Sequence, residues 1–257
     1  MSGPAPVAAR RLNVPPGLRL GSADVELPGG ELAGVELPGG ELPGGELAGG
    51  ELAGVELWLT GAPDPDGFRL LDAGERARAE RLRRAADRQV YVAAHALLRR
   101  LLGARLDRDP AGLRFVREAC PGCGAPHGRP ALPGTPVHFS LSHSGQYALI
   151  GLADRPVGVD LEALAADALV DDVAASLHPR EHAELSLLPP GPLRTAAFTR
   201  CWTRKEACLK GTGEGITGDG LHDTYVGTGP EPQPVTGWAL ADVAVPEGYV
   251  GAVSVRR

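Results

Sequence analysis

The chain has 257 residues, 43% of them hydrophobic, and a formal net charge of −6. This is the composition of a soluble globular protein long enough for one large domain or two small ones. No run of 18 apolar residues is present to span a membrane, and the N-terminal MSGPAPVAARRLNVPPG lacks the apolar stretch of a secretory signal. Four cysteines are too few for a disulfide scaffold and point to a reducing cytoplasm.

Residues 1–57 hold three arginines against eight acids, a net of −5, so residues 58–257 carry only −1. All eleven aromatic residues follow residue 57. From Glu26 to Glu56 glutamate recurs every fifth residue, with ten glycines and three prolines between Val25 and Leu57. A pentapeptide of this composition makes a poor core, and residues 1–54 are read as low-complexity and disordered. The working protein is expected in two parts, residues 55–154 and 155–257.

Residues 55–60 form the first expected strand, and PDPDG a turn. One long helix is expected from Glu75 to Leu106, because its apolar residues keep to steps of three and four. Between Arg76 and Arg108 there are ten arginines and three acids, a charge run that suits either a solvated helix face or an anion site. The segment CPGCGAPHGRP offers Cys120, Cys123 and His127. A zinc site needs four ligands, usually from two such pairs, and no second C-x2-C is present, so a metal-free loop is expected.

Strands are expected at about 137–142, 146–153 and 157–162, and helices at 163–187 and 192–212. HPREHAEL carries its own helix-start signal inside the first of these helices. TYVGTG, GWALADVAV and GYVGAVSV read as a closing antiparallel set. The class is α+β, with its strand and helix groups occurring twice, before and after about residue 155.

Two segments carry the chemistry. In VGVDLE, alternation places Asp160 and Glu162 on one strand face, about 7 Å apart, beside a glycine that lets something large approach. Two acids so placed repel unless a cation lies between them, and hard oxygen ligands suit Mg²⁺. In FTRCWTRKEACLKG, Glu206 and Lys210 share a helix face, with Lys205 one step round. These two lysines are the only ones in a chain with 24 arginines, and a lysine point charge is not interchangeable with arginine at a tight site. Acids holding Mg²⁺, ringed by Lys and Arg, are what a pyrophosphate requires.

GRPAL at 128–132, FSLSHSG at 139–145, VGVDLE at 157–162 and FTRCWTRKEACLKGTGEGI at 198–216 together resemble the 4′-phosphopantetheinyl transferases of the surfactin-synthetase-activating (Sfp) type. These belong to the holo-acyl-carrier-protein synthase superfamily. The resemblance covers about Val55 to the C-terminus. It implies a pseudo-dimer of two similar α+β halves with the active site in the cleft between them. It implies Mg²⁺-dependent transfer of the 4′-phosphopantetheine arm of coenzyme A to a serine of an apo acyl or peptidyl carrier protein, releasing adenosine 3′,5′-bisphosphate.

By position, Asp160, Glu162 and Glu206 are expected to hold Mg²⁺, with Glu206 also the base for the carrier serine. Lys210 is expected at the phosphates, supported by Lys205. Ser142 and His143 match residues around the CoA 3′-phosphate, Arg129 replaces a family lysine, and Arg88 matches a family arginine. Glu181 matches an acid near the site. The family's basic pair at the start of the long helix is not cleanly aligned, and Arg76, Arg78 and Arg81 are all candidates. The expected protein is a cytoplasmic monomer serving fatty-acid, polyketide or nonribosomal peptide synthesis, without nucleic-acid or membrane partners. A metal-dependent nucleotide pyrophosphohydrolase and a non-catalytic CoA- or carrier-binding module are the other readings.

Overall fold

The computed structural model describes residues 10–11, 51–61, 63–215 and 220–257. Residues 26–50 of the glutamate repeat lie outside them. In chain order the elements are β1 (Arg10–Arg11), β2 (Glu56–Thr60), α1 (Ala73–Arg81), α2 (Ala85–Leu106), β3 (Val116–Arg117), β4 (Pro130–Ala131), β5 (His138–Ser144), β6 (Tyr147–Ala153) and β7 (Val157–Ala163). There follow α3 (Asp167–Val173), α4 (Pro179–Ser186), α5 (Pro192–Thr212), α6 (Gly220–Asp223), β8 (Trp238–Val243) and β9 (Tyr249–Arg256).

Mixed helix and strand is the class expected. The strands make two larger antiparallel sheets, ordered β1-β2-β6-β5 and β7-β9-β8, and a small β3-β4 hairpin. Strands of the first sheet precede Asp154 and those of the second follow it.

Alternation sorts the layers. Leu57, Leu59 and Leu149 point toward the second sheet and meet Val157, Val159, Leu161, Val253 and Val255 in one buried cluster. Trp58, Ile150 and Leu152 point the other way, against Leu97, Leu98, Leu101 and Leu102 of α2. On the far side of the second sheet α5 packs on β7 and β9. Its apolar face buries Phe198, Cys201 and Cys208 with Val170, Leu177 and Leu185.

The sheet also draws on residues before Val55. Arg10 and Arg11 pair with Leu59 and Trp58, and Leu52 is buried in the core.

Three expectations change. The long helix is two, broken at residues 82–84 although nothing there is a strong breaker. A single straight helix would put Glu75 and Arg99 about 36 Å apart. Because α1 folds back, Glu75 instead accepts from Arg99 Nε at 2.8 Å, and Asp72 accepts from its Nη2 at 2.9 Å. Leu82, Tyr91 and Leu71 close a small cluster at the bend.

The segment 163–187 is likewise divided. Pro179 cannot continue a preceding helix but fits the first turn of a new one. His178 and Glu181 form a reciprocal cap there, as the sequence signal indicates. TYVGTG is not a strand: the Val226 and Gly227 N–H groups are taken by the Glu181 carboxylate at 2.7 and 3.2 Å. Among the described residues, no helix is long and apolar enough to cross a membrane.

Candidate active site

The site begins with a glycine. A Cβ on Gly158 would lie 2.0 Å from the Ala207 carbonyl oxygen and 2.4 Å from the Gly211 nitrogen. The large object that this glycine admits is therefore α5 itself, whose backbone crosses directly over β7. That crossing presents Glu206 and Lys210 to the β7 face bearing Asp160 and Glu162. A left-handed Gly213 (φ 85°), whose N–H donates to the Leu209 carbonyl, ends α5 just beyond Lys210.

The other wall is β5, whose alternate residues Ser140, Ser142 and Ser144 reach the edge of β7. Ser140 Oγ accepts from the Val159 N–H at 3.1 Å, and Ser144 Oγ accepts from the Ala163 N–H at 3.0 Å. These hydroxyls satisfy edge-strand donors that have no neighbouring strand. Ser142 Oγ donates to Asp160 Oδ1 at 2.7 Å and accepts from Lys210 Nζ at 2.9 Å. Lys210 Nζ also donates to Asp160 Oδ1 at 2.5 Å, and Ser144 Oγ donates to Glu162 Oε2 at 3.1 Å.

These groups open into a cavity of about 810 Å³. Asp160, Glu162, Glu206, Lys210, Ser142, His143 and Arg129 all line it, together with Arg78, Glu75, His95 and the β3-β4 hairpin.

Glu206 is buried, and desolvation with the nearby Asp160 and Glu162 charges outweighs Lys210, pushing its carboxyl up to about 7. Burial and Asp160 also raise Glu162, against the hydrogen bond from Ser144 and the charge of Lys210. His143 is held below its ordinary value by burial and by the positive groups His95, Lys210 and Arg78.

Two oxygens here, Asp160 Oδ2 and Glu206 Oε1, are buried without a hydrogen-bond partner. Buried carboxylate oxygens seldom go unpartnered. Three acids, two of them with a free buried oxygen, are a hard donor set that fits a divalent cation such as Mg²⁺.

The structure does not bring every expected residue to the cavity. Lys205 is fully buried on another side of α5. It pairs with the equally buried Glu181 at 2.7 Å and donates to the Leu221 carbonyl at 2.6 Å and to that of Thr224. Five residues on a helix are about 140° apart round its axis, so Lys205 and Lys210 serve different places. Glu181 belongs to that internal pair. Arg88 is exposed on the first turn of α2 and does not line the cavity.

Of Arg76, Arg78 and Arg81, only Arg78 lines the cavity; Arg76 donates to the Phe68 and Arg69 carbonyls. Much of the arginine run is structural. Arg99 is fully buried, and Arg100 and Arg105 pair with Asp64 and Glu56. Arg129 reaches the cavity while donating to Glu118 Oε2 at 2.9 and 2.7 Å and to the Gly211 carbonyl at 3.0 Å.

Sequence reasoning passed over His95 and Glu75, whose side chains meet at 3.1 Å on the cavity wall. The available signal was a lone histidine within the apolar run VYVAAHALL.

A family model described as the 4′-phosphopantetheinyl transferase superfamily matches residues 156–245, the span holding Asp160, Glu162, Glu206 and Lys210. The 4′-phosphopantetheinyl transferase HetI of Nostoc is 32% identical over 195 residues, which cover 72% of this chain and 78% of HetI. A Synechocystis protein whose name assigns it provisionally to the same transferases is 36% identical over 171 residues, 63% of this chain and 66% of its own. A 4′-phosphopantetheinyl transferase of Bacillus subtilis is 27% identical over 149 residues, 57% of this chain and 62% of its own. The matched segments thus span about two thirds of these relatives. With the similarity to HetI extending over most of both proteins, the chain belongs to the 4′-phosphopantetheinyl transferase superfamily.

Proposed function

We propose that the protein transfers the 4′-phosphopantetheine arm of coenzyme A to a serine hydroxyl of an apo carrier protein and releases adenosine 3′,5′-bisphosphate. The observation that carries this reading is the trio of Asp160, Glu162 and Glu206, the first and last of them buried, facing Lys210 in a cavity edged by Arg78, Arg129 and His143. It is a site for a cation and a pyrophosphate on one rigid helix–strand crossing. The two sheet-and-helix units, residues 55–154 and 155–257, are proposed as the halves of a pseudo-dimer, with this cavity as their cleft.

Asp160, Glu162 and Glu206 would hold Mg²⁺, which when bound supplies charge neutralisation on the pyrophosphate. The protein's own groups do the rest. Lys210, fixed by Asp160 and Ser142, presents its ammonium to the phosphates. Arg78 and Arg129 add positive charge along the cavity.

The carrier serine is a poor nucleophile at neutral pH. Glu206, its carboxyl near neutrality before a cation enters, takes the hydroxyl proton directly or through a water. The serine oxygen forms the new bond to the phosphorus that bears the pantetheine arm. The bond from that phosphorus to the bridging oxygen breaks, and that oxygen leaves with adenosine 3′,5′-bisphosphate. Positioning and electrostatics supply most of the acceleration in such transfers.

The test is incubation with CoA, Mg²⁺ and a panel of apo carriers, followed by intact-protein mass. The expected result is a gain of one phosphopantetheine on the carrier and equimolar bisphosphate. Glu206→Gln is expected to lower turnover ~10²–10⁴-fold. Bisphosphate release of equal rate without any carrier would refute the proposal and establish a hydrolase.

A further inference from the structure

The β3-β4 hairpin carries a second cluster, chemically unlike the first. One ligand atom from each of Cys120, Cys123 and His127 comes within 4.8 Å of the other two. Cys123 Sγ lies 3.0 Å from His127 Nε2. Among the described residues this is the one group of three or more metal-ligating side chains that closes so tightly.

The chain is shaped to make it. The Gly124 N–H donates to the Cys120 carbonyl at 2.8 Å, and the Cys120 and His127 N–H groups both donate to the Ala125 carbonyl at 2.8 Å. Gly124 sits at φ +74°, which a residue with a side chain rarely adopts, directly after Cys123.

We propose that Cys120, Cys123 and His127 bind one zinc ion, with water completing a tetrahedral site. Zinc–sulfur bonds of about 2.3 Å put two ligand sulfurs about 3.8 Å apart, within the spacing seen here. Two thiolates and an imidazole suit Zn²⁺, whereas the oxygen donors of the acid trio suit Mg²⁺. A second C-x2-C pair is not needed here. The hairpin supplies a third ligand by folding His127 back onto the turn.

The hairpin also has a structural need for such an ion. Its strands are two residues each, and most residues between Glu118 and Gly128 are exposed. So short a ribbon cannot hold its own shape by burial. Yet it forms the cavity wall with Arg117, His127, Gly128, Arg129 and Pro130. A metal cross-link would fix that wall, and it would do so whatever reaction the cavity performs.

The experiment is elemental analysis of the full-length protein purified under a non-thiol reductant, without added zinc. About one zinc per chain is expected, retained in Asp160→Asn/Glu206→Gln and reduced to below about a tenth in Cys120→Ser/Cys123→Ser and in His127→Ala. Cobalt exchanged into the wild type is expected to show tetrahedral visible bands and a sulfur-to-cobalt charge-transfer band. This second readout needs no variant and decides the question if the cysteine variant is insoluble. Zinc-free protein that also gives no thiolate–cobalt band overturns the proposal. So does zinc retained in the cysteine variant, or a Cys120–Cys123 disulfide in protein freshly purified under reductant.

Discussion

Glu206 provides the sharpest test of the site's electrostatics, and it can be made without any substrate. Its carboxyl is raised from 4.5 to about 7 in the folded protein, by burial first and by Asp160 second. A carboxyl whose folded pKa exceeds its unfolded value binds its proton more tightly when folded. Its contribution is most favourable below about pH 4.5 and is lost as pH rises through 7. At 1.36 kcal/mol per unit, the ionised carboxylate costs about 3 kcal/mol at pH 8 and under about 1 kcal/mol at pH 5.

Glutamine keeps the shape and removes the charge. Glu206→Gln, in chelator and without metal, should therefore gain about 2–3 kcal/mol on the wild type between pH 5 and pH 8. Urea unfolding at the two pH values measures this directly, and in a thermal melt it is a relative shift of roughly 5–10 °C. Saturating Mg²⁺ should stabilise the wild type more at pH 8 than at pH 5, and the variant less than the wild type. A stability difference between the two proteins that is the same at both pH values would refute the reasoning. It would mean that Glu206 ionises in the folded protein as easily as in water.

Three further outcomes follow from the same geometry. Lys205→Met should lower stability by about 3–5 kcal/mol in urea, because it strands the Glu181 carboxylate fully buried. A loss of CoA binding at unchanged stability would instead restore Lys205 to the cavity. Gly158→Ala should cost at least about 2–3 kcal/mol, since its Cβ meets helix backbone that cannot rotate away; a wild-type melting curve would contradict the crossing. Arg78→Ala should raise the KM for CoA about 3–5-fold while Arg88→Ala leaves it unchanged, because only Arg78 lines the cavity. The reverse order in a steady-state assay would assign the phosphate contact to α2.

The alternating strand VGVDLE and the helical spacing from Glu206 to Lys210 are local patterns. Strand and helix periods alone place Asp160 and Glu162 on one face, and Glu206 and Lys210 on another. These residues were legible as candidates before any packing was known. What local pattern could not supply is which surfaces meet. Lys205 and Lys210 look alike in WTRKEACLK, yet one is sealed against Glu181 and the other is joined to Asp160 and Ser142 across the sheet crossing.

The break between α1 and α2 likewise has no strong sequence mark, because its cause is Arg99 drawing in acids from 24 and 27 residues away. The arginine run looked like one charged face, but its partners lie in Asp64, Glu56, Asp72 and Glu75, outside the run. Cys120, Cys123 and His127 were visible from the start, but their convergence depends on a left-handed glycine and a hairpin return. Periodicity determines which residues share a face. Burial, ion pairing and chain reversal act between segments distant in sequence, and only the tertiary structure decides what each face meets.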